Sequence, residues 1–418
     1  MAHSGPCAAD GSGNKPDIDL ACILRENGDD YCRGRIVAGD QRKVMRDIVR
    51  CRTPELGGHV DECEAGCGFA KVFYNSCRNR HCPKCQGVSR ARWLAGRMDR
   101  ILPTHYFHVV VTLPRELGPL ALRNKAVIYD LLFQAGSRAL LELAEGYERL
   151  RARVGFTAVL HTWSQDLLLH PHLHMVVTGG GLDRSGEKWI AAPNSFLVPV
   201  KALSKIVRGK FLEMLEQLYR QNKLCFTGTV AGLKDEAAFI RLITKLRRKK
   251  WVVYSKRPFD GAAQVYSYIS QYTHRVAIAN GRLVGCQNGM VTFKARDNDN
   301  PGRHRLVSLE AGEFIRRFLL HVLPKGFVRI RHYGLMAPKN VNTRLAAARK
   351  ILMQTHCPQE PATEKDRKPT PKTWREILLE LTGIDMRTCP QCKKGRLIRR
   401  PLPKGDVMLC YGSASLAA

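Results

Sequence analysis

The sequence predicts an α+β fold in which an antiparallel sheet flanked by helices follows a small zinc-ribbon-like domain. Two observations support this prediction. Paired cysteines cluster between residues 51 and 85, and β-rich runs such as residues 105–114 alternate with amphipathic helical stretches after them. With 418 residues, the chain is long enough for two or three domains with cores of their own.

Changes in composition along the chain predict five segments. Residues 1–20 are expected to be a disordered N-terminus and residues 21–100 a zinc-binding domain that contacts DNA. Residues 101–350 carry the alternating strands and helices of the larger domain. Residues 351–372 are rich in Pro, Lys and Glu, which is typical of a linker, and residues 373–418 form a basic tail.

The charge of the chain predicts a polyanionic partner. Lys and Arg number 68 against 37 Asp and Glu, a formal net charge of +31. No apolar run approaches the roughly 20 residues that span a bilayer, and the N-terminus lacks the apolar segment of a secretory signal. Nucleic acid is therefore favoured over a membrane surface, and we expect a cytoplasmic protein.

The cysteines predict zinc rather than disulfides, because the chain shows no sign of secretion. Cys82-x-x-Cys85 is a strong ligand pair and Cys63-x-x-x-Cys67 a looser one, and together they would complete one tetrahedral site. Four further residues could bind a second ion or merely pack around the first: Cys51, His59, Cys77 and His81.

A third cysteine pair lies near the C-terminus, at Cys389-Pro-Gln-Cys392. One such pair is half a zinc site. His356, Cys357 and Cys410 are the partners considered for it, and the choice among them stays open.

Basic residues predict where the chain contacts DNA. Arg78 and Arg80 lie between the zinc-ligand pairs, although a merely solvated basic face is the alternative. The segment from Pro324 to Lys350, which includes Arg329 and Arg331, has Lys and Arg but no Asp or Glu. We expect this segment to lie along phosphates.

The larger domain carries a possible metal site in the strand Leu167–Thr178. His172 and His174 are two residues apart, so in a strand both imidazoles face one side while Leu173 and Met175 face the other. Two adjacent imidazoles are half a metal site, although such a pair is often only part of a strand. Gln165 is the favoured third ligand, with Asp166 and His170 as alternatives.

A predicted helix at residues 262–274 carries Tyr268 and Tyr272, four apart and so on one face. Aromatic pairs at this spacing usually belong to a core. Together with the histidine pair in a basic chain, however, they match what tyrosine-mediated DNA cleavage needs. A phenol has a pKa near 10, so a cation must polarise the phosphate that it attacks.

The motifs resemble a known family. The HPHLH and VVVTLP strands and YISQY match the three motifs of the HUH endonuclease superfamily in its two-tyrosine form. The segments YNSCRNRHCPKCQ, HPHLHMVVTGGGL, QYTHRVAI and RIRHYG resemble the rolling-circle transposases of the IS-91 insertion-sequence family. The resemblance runs from about Cys51 to Arg349; Cys63-x-x-x-Cys67 departs from the usual C-x-x-C.

The resemblance implies an HUH nuclease core that binds Mg²⁺ or Mn²⁺ through His172 and His174, with Tyr268 and Tyr272 as nucleophiles. It further implies 5′-phosphotyrosine intermediates formed on single-stranded DNA at the element ends and target, without ATP. The expected partners are a host helicase and the host replication machinery. The expected cofactors also include at least one structural Zn²⁺, and Arg275 is expected to contact DNA.

Two other functions remain open at this point. A plasmid replication initiator or relaxase would use the same chemistry, although the upstream zinc ribbon and the lack of a helicase motif favour a transposase. A non-catalytic zinc-ribbon DNA-binding protein would leave the tyrosines as core residues. A zinc-dependent hydrolase is disfavoured because the sequence has no H-E-x-x-H motif.

Overall fold

The computed structural model describes most of the chain between residues 18 and 405. The described residues are 18–87, 93, 96, 100–259, 276–297, 300, 302–356, 376, 379, 385 and 387–405. Within them the fold is a mixture of helices and antiparallel sheets, as the α+β prediction requires.

The chain divides into two compact units that each combine distant segments. The first contains residues 1–95, 274–322 and 364–418, and the second contains residues 96–273 and 323–363. This division differs from the expected boundaries at residues 100 and 350. The difference arises because residues 274–322 and the C-terminal segment pack with the N-terminal segment.

The first unit begins with two helices, α1 (Leu20–Cys32) and α2 (Gly39–Val49). The side chain of Asp19 accepts a hydrogen bond from the backbone N–H of Cys22 at 2.9 Å, which caps the start of α1. A three-stranded antiparallel sheet follows, in which β1 is the central strand. Its strands, in chain order, are β1 (Gly58–Cys63), β2 (Ala70–Tyr74) and β12 (Leu397–Leu402).

A second antiparallel sheet in this unit contains β8 (Leu283–Gln287), β9 (Met290–Arg296) and β10 (His304–Glu310). The turn between β8 and β9 is Asn288–Gly289, whose φ angles of 50° and 73° suit the Asn-Gly hairpin that the sequence predicts. Helix α7 (Ala311–Leu320) then buries one apolar face and packs against α1.

The second unit is organised around a six-stranded antiparallel sheet. Its strands are β3 (Tyr106–Thr112), β4 (Arg153–Trp163), β5 (Leu169–Leu182), β6 (Trp189–Ala191), β7 (Val253–Phe259) and β11 (Ile330–Gly334). The hydrogen-bonded order is β11-β4-β5-β3-β7, and β6 pairs with the C-terminal end of β5.

Helices cover one face of this sheet. Helix α4 (Lys125–Gly146) approaches closely at Gly136, where an added Cβ would lie 3.3 Å from the Leu173 side chain. Leu173, Met175 and Val111 belong to the same buried core as the helix residue Phe133. The helices of this unit are α3 (Gly118–Arg123), α4 (Lys125–Gly146), α5 (Val200–Arg220), α6 (Glu236–Arg248) and α8 (Arg344–His356).

The alternation of strand side chains places the histidines on the other face. Leu173 and Met175 enter the core beneath α4, so His172 and His174, at the intervening positions of β5, face away from it. The same alternation in β3 puts His108 on the histidine face, since it pairs with Val176 while Val109 pairs with Met175.

Candidate metal centres and DNA-processing site

Three histidines converge on the face of the large sheet opposite helix α4. One ring nitrogen from each of His161, His172 and His174 lies within 4.8 Å of the others. His161 stands near the end of β4, directly opposite His172 in β5, and His174 pairs with Val159 two residues earlier in β4. Residues that pair across antiparallel strands share a face, so the hairpin register itself brings the three imidazoles together.

Hydrogen bonding fixes the tautomer of His172. Its Nδ1 lies 2.6 Å from the carbonyl oxygen of His170, which can only accept, so Nδ1 carries the hydrogen. The Nε2 atom of neutral His172 therefore presents a lone pair, 3.0 Å from Nε2 of His174. This geometry leaves His172 ready to bind a cation through Nε2.

His108 contacts the far side of His174. Its Nε2 lies 2.8 Å from Nδ1 of His174, and the two rings stack with their centroids 5.1 Å apart. His108 is almost completely buried, and burial lowers its pKa to about 3, with the charges of Lys256 and His172 acting in the same direction. A neutral His108 can accept a hydrogen bond from Nδ1 of His174, and Nε2 of that tautomer of His174 then carries the lone pair.

His161 was not among the residues that the sequence pattern singled out. It is buried between Trp163, whose ring stacks on it at 4.6 Å, and His174, whose centroid is also 4.6 Å away. Gln165, the favoured third ligand, lies with Asp166 in the turn that joins β4 to β5. The turn sets Trp163 opposite Leu169, and a register shift between His161 and Trp163 then sets His161 opposite His172. The position of the turn alone therefore could not have identified His161.

The first cysteine cluster joins Cys51, Cys77, Cys82 and Cys85, whose sulfur atoms all lie within 4.8 Å of one another. Cys51 follows α2, Cys77 lies in the loop after β2, and Cys82 and Cys85 form the predicted knuckle. The backbone N–H of Cys77 donates to the sulfur of Cys51 at 3.5 Å. Four thiolates at this spacing suit a closed, tetrahedral zinc site.

The second cysteine cluster corrects the predicted pairing. Cys63 and Cys67 do not meet Cys82 and Cys85; their sulfurs instead lie within 4.8 Å of those of Cys389 and Cys392. The physical reason is the sheet, because β12 pairs along β1 and brings the C-terminal knuckle to the tip of the β1–β2 hairpin. The open partners considered for Cys389 and Cys392 are therefore replaced by Cys63 and Cys67.

The two histidines proposed as additional zinc ligands belong to neither cysteine cluster. His59 stacks on Phe73 with centroids 5.4 Å apart, and its Nε2 lies 3.8 Å from a carboxylate oxygen of Asp61. His81 is buried next to the Cys82 knuckle, where its backbone N–H donates to the side chain of Asn79. Four cysteines already complete each cluster, which leaves both imidazoles to packing and hydrogen bonding.

Comparisons with known proteins agree with this division of sites. Residues 155–344, which contain the histidine cluster, match a family model described as a putative transposase. Residues 23–113, which contain the first cysteine cluster, match one described as a transposase zinc-binding domain. A protein named putative transposase y4qJ, from Sinorhizobium fredii (strain NBRC 101917 / NGR234), is 44% identical over 95% of this chain and 96% of its own length.

This chain belongs to the IS-91 family of transposases. A second relative, named transposase for insertion sequence element IS801, from Pseudomonas savastanoi pv. phaseolicola, is 26% identical over 71% of this chain and 70% of its own. Among solved structures, none matches the chain. Membership makes the protein a DNA-cutting and DNA-joining enzyme with structural zinc, which confirms the transposase prediction over the initiator and the non-catalytic alternatives.

The structure gives the arginines of the transposase different surroundings. Arg78 is exposed and has a left-handed backbone with φ of 56°, whereas burial lowers the pKa of Arg80. Arg329 is buried, and Arg331 pairs with Asp130 at 2.5 Å while its guanidinium lies 4.2 Å from the ring centre of Phe133. These contacts make Arg331 a less accessible phosphate ligand than its sequence context predicts.

Three of the predicted site residues lie outside the described residues. They are Tyr268, Tyr272 and Arg275.

Of the described helices, none is long and apolar enough to cross a membrane. The partner that the structure and the family support is DNA.

Proposed function

We propose that this transposase cuts and joins single DNA strands by tyrosine chemistry on an HUH core, as in rolling-circle transposition. In this proposal Tyr268 and Tyr272 are the nucleophiles, and His161, His172 and His174 bind a divalent cation. The observation that supports it best is the convergence of three imidazoles on the face of a central antiparallel sheet that lies opposite helix α4.

The donor set fits a divalent ion with open positions. Neutral His172 directs the lone pair of its Nε2 toward the cluster. A neutral His108 accepts from Nδ1 of His174, so the lone pair of His174 also lies on Nε2. Three imidazoles favour transition ions over Mg²⁺, which prefers oxygen ligands, so we expect Mn²⁺ to act at lower concentration than Mg²⁺. When bound, the ion would polarise the scissile phosphate and offset charge on its oxygens.

The residues of the chain would perform the remaining steps. The phenol oxygen of one tyrosine attacks the phosphorus, forms the Tyr–O–P bond and displaces the 3′ oxygen of the preceding nucleotide, which takes up a proton as a free 3′-OH. The second tyrosine cuts another strand in the same way. Attack by a 3′-OH on a phosphotyrosine reverses the step and joins the strands, so the bond energy is conserved and ATP is not required.

The charge of the protein supports a nucleic-acid substrate, and we propose that both the substrate and the target are single-stranded DNA. A net charge of +31 favours binding to phosphates, and Arg78, next to the first cysteine cluster, is exposed. Arg275 and the less accessible Arg80, Arg329 and Arg331 remain candidate contacts. Since the sequence contains no phosphate-binding P-loop, we propose that a host helicase supplies the unwound strand.

Covalent capture tests this proposal. Single-stranded oligonucleotides from the element ends are incubated with the protein and Mn²⁺, and adducts are separated on denaturing gels. We expect an adduct that the double variant Tyr268→Phe/Tyr272→Phe lacks while it still binds DNA. No adduct with the wild-type chain, or an unchanged adduct with the double variant, would overturn the nucleophile assignment.

A matched pair of variants tests the third ligand. His161→Ala should abolish adduct formation, because its ring nitrogen lies with those of His172 and His174. Gln165→Ala, a change in the turn between β4 and β5, should retain it. The opposite result would return the role to Gln165. Loss of DNA binding in His161→Ala would point to a folding role instead.

A further inference from the structure

We propose that Cys63, Cys67, Cys389 and Cys392 bind a second structural Zn²⁺ that joins the C-terminal segment to the N-terminal zinc-binding domain. Both partners of this site lie in the same compact unit of the fold, although more than 320 residues separate Cys63 from Cys392 along the chain. The family model for the zinc-binding domain ends at residue 113 and so includes only two of the four ligands.

The distances between the sulfurs fit a tetrahedral metal. Cys63 and Cys392 have sulfurs 3.6 Å apart, and so do Cys67 and Cys389. Zn–S bonds of about 2.3 Å in a tetrahedron place the sulfurs about 3.8 Å from one another. A disulfide needs a sulfur separation of about 2.05 Å, so the four residues are free thiols arranged as ligands.

The loop around Cys392 is shaped to accommodate sulfur. The backbone N–H of Gly395 donates to the sulfur of Cys392 at 3.3 Å. A Cβ added to Gly395 would lie 2.4 Å from the sulfur of Cys63, so only glycine allows this approach. The N–H of Lys393 donates to the carbonyl of Cys389 at 2.9 Å, which closes the loop, and Cys389 is fully buried.

The N-terminal and C-terminal segments also contact each other directly, along the strand pair that ends at the proposed zinc site. β12 pairs with β1 from Gly58, opposite Leu402, to Cys63, opposite Leu397, so the ladder ends at a ligand. In the middle of the ladder, Arg399 holds the carboxylate of Asp61 through two contacts of 2.8 Å each, and Asp61 is buried.

A side-chain contact also crosses between the ligand loops themselves. The amide of Gln391 donates to the carbonyl of Cys67 at 3.1 Å, which ties the C-terminal knuckle to the hairpin tip. Loss of the C-terminal segment would leave Cys63 and Cys67 as half a site. The zinc-binding domain therefore needs the end of the chain to be complete.

Metal content tests the proposal without any DNA reaction. The full-length protein is purified under reducing conditions, and its zinc content is measured by inductively coupled plasma mass spectrometry. We expect two Zn²⁺ per chain, one in Cys389→Ser/Cys392→Ser, one in Cys77→Ser/Cys85→Ser, and two in the control Cys225→Ser, whose thiol is exposed and outside both clusters.

Two further measurements separate metal binding from folding. Arg399→Ala weakens the β1–β12 contact but keeps all four thiols, so it should retain two Zn²⁺. Hydrogen exchange of the β12 amides should speed up in Cys389→Ser/Cys392→Ser and not in Cys225→Ser. One Zn²⁺ in the wild-type chain, two in the Cys389→Ser/Cys392→Ser variant, or unchanged exchange of β12 would overturn the proposal.

Discussion

Removal of the His108 imidazole should weaken metal binding at the histidine cluster. His108→Phe keeps a ring in the buried position but removes the nitrogen that lies 2.8 Å from Nδ1 of His174. His174 would then lose this acceptor for its buried Nδ1–H whenever its Nε2 binds the ion. Loss of the acceptor of a buried donor costs about 1–3 kcal/mol, which corresponds to roughly a 5- to 150-fold weaker affinity.

The assay is a calorimetric titration of Mn²⁺ into the zinc-loaded protein without DNA. We expect His108→Phe to bind Mn²⁺ about 10–100-fold more weakly than the wild-type protein. This is the typical loss when a residue that hydrogen-bonds a metal ligand is replaced. His108→Gln, whose amide can accept a hydrogen bond, should recover part of it. His170→Ala is the matched control, because it removes a neighbouring imidazole, whose ring centroid lies 5.0 Å from that of His172, but keeps the backbone carbonyl that accepts from Nδ1 of His172.

The melting temperature of each variant shows whether the fold is retained. An Mn²⁺ affinity in His108→Phe equal to that of the wild-type protein, with the fold intact, would refute the role given to His108. An equal loss in His170→Ala would show that the measurement reports general damage to the strand.

Three further predictions concern Mn²⁺, the stability of the first zinc site and pH. Adduct formation should reach half its maximum at lower Mn²⁺ than Mg²⁺, and a preference for Mg²⁺ would contradict the nitrogen donor set. Cys77→Ser should make the segment 51–87 sensitive to protease while Cys225→Ser does not, and equal resistance would exclude a structural role for that ion. Hydrogen bonds from Arg316 and Arg317 lower the pKa of Glu313 to about 2 from 4.5, so their stabilisation is present above pH 4.5 and is lost as the pH falls to 2. Acid titration of unfolding should show this loss in the wild-type chain and not in Glu313→Gln, and identical profiles would exclude it.

Local patterns in the sequence predict much of the sheet that carries the site. The alternation of Leu173 and Met175 with His172 and His174 predicts which face each side chain takes, because strand geometry has a period of two. The predicted strand at residues 105–114 is β3, and the Asn-Gly turn joins β8 to β9 as expected. These features depend on residues that are close together in the chain.

The features that the sequence did not predict depend on residues far apart or on exact strand register. Cys63 meets Cys392 only because β12 pairs with β1, and cysteine spacing carries no information about that pairing. His161 joins the cluster through the register of the β4–β5 hairpin, which a shift of one residue would change. Residues 274–322 join the first unit by tertiary packing, with no change in composition to mark the boundary.

The central claim is that a tyrosine of this chain becomes covalently linked to DNA with help from the histidine cluster. The most direct measurement is tandem mass spectrometry of the protein–oligonucleotide adduct after nuclease and protease digestion. We predict that the nucleotide is linked through its 5′ phosphate to Tyr268 or Tyr272. The linkage should form only when a divalent ion is present, and it should be absent from His172→Ala. An adduct on any other residue, or one that forms equally in His172→Ala, would contradict the account.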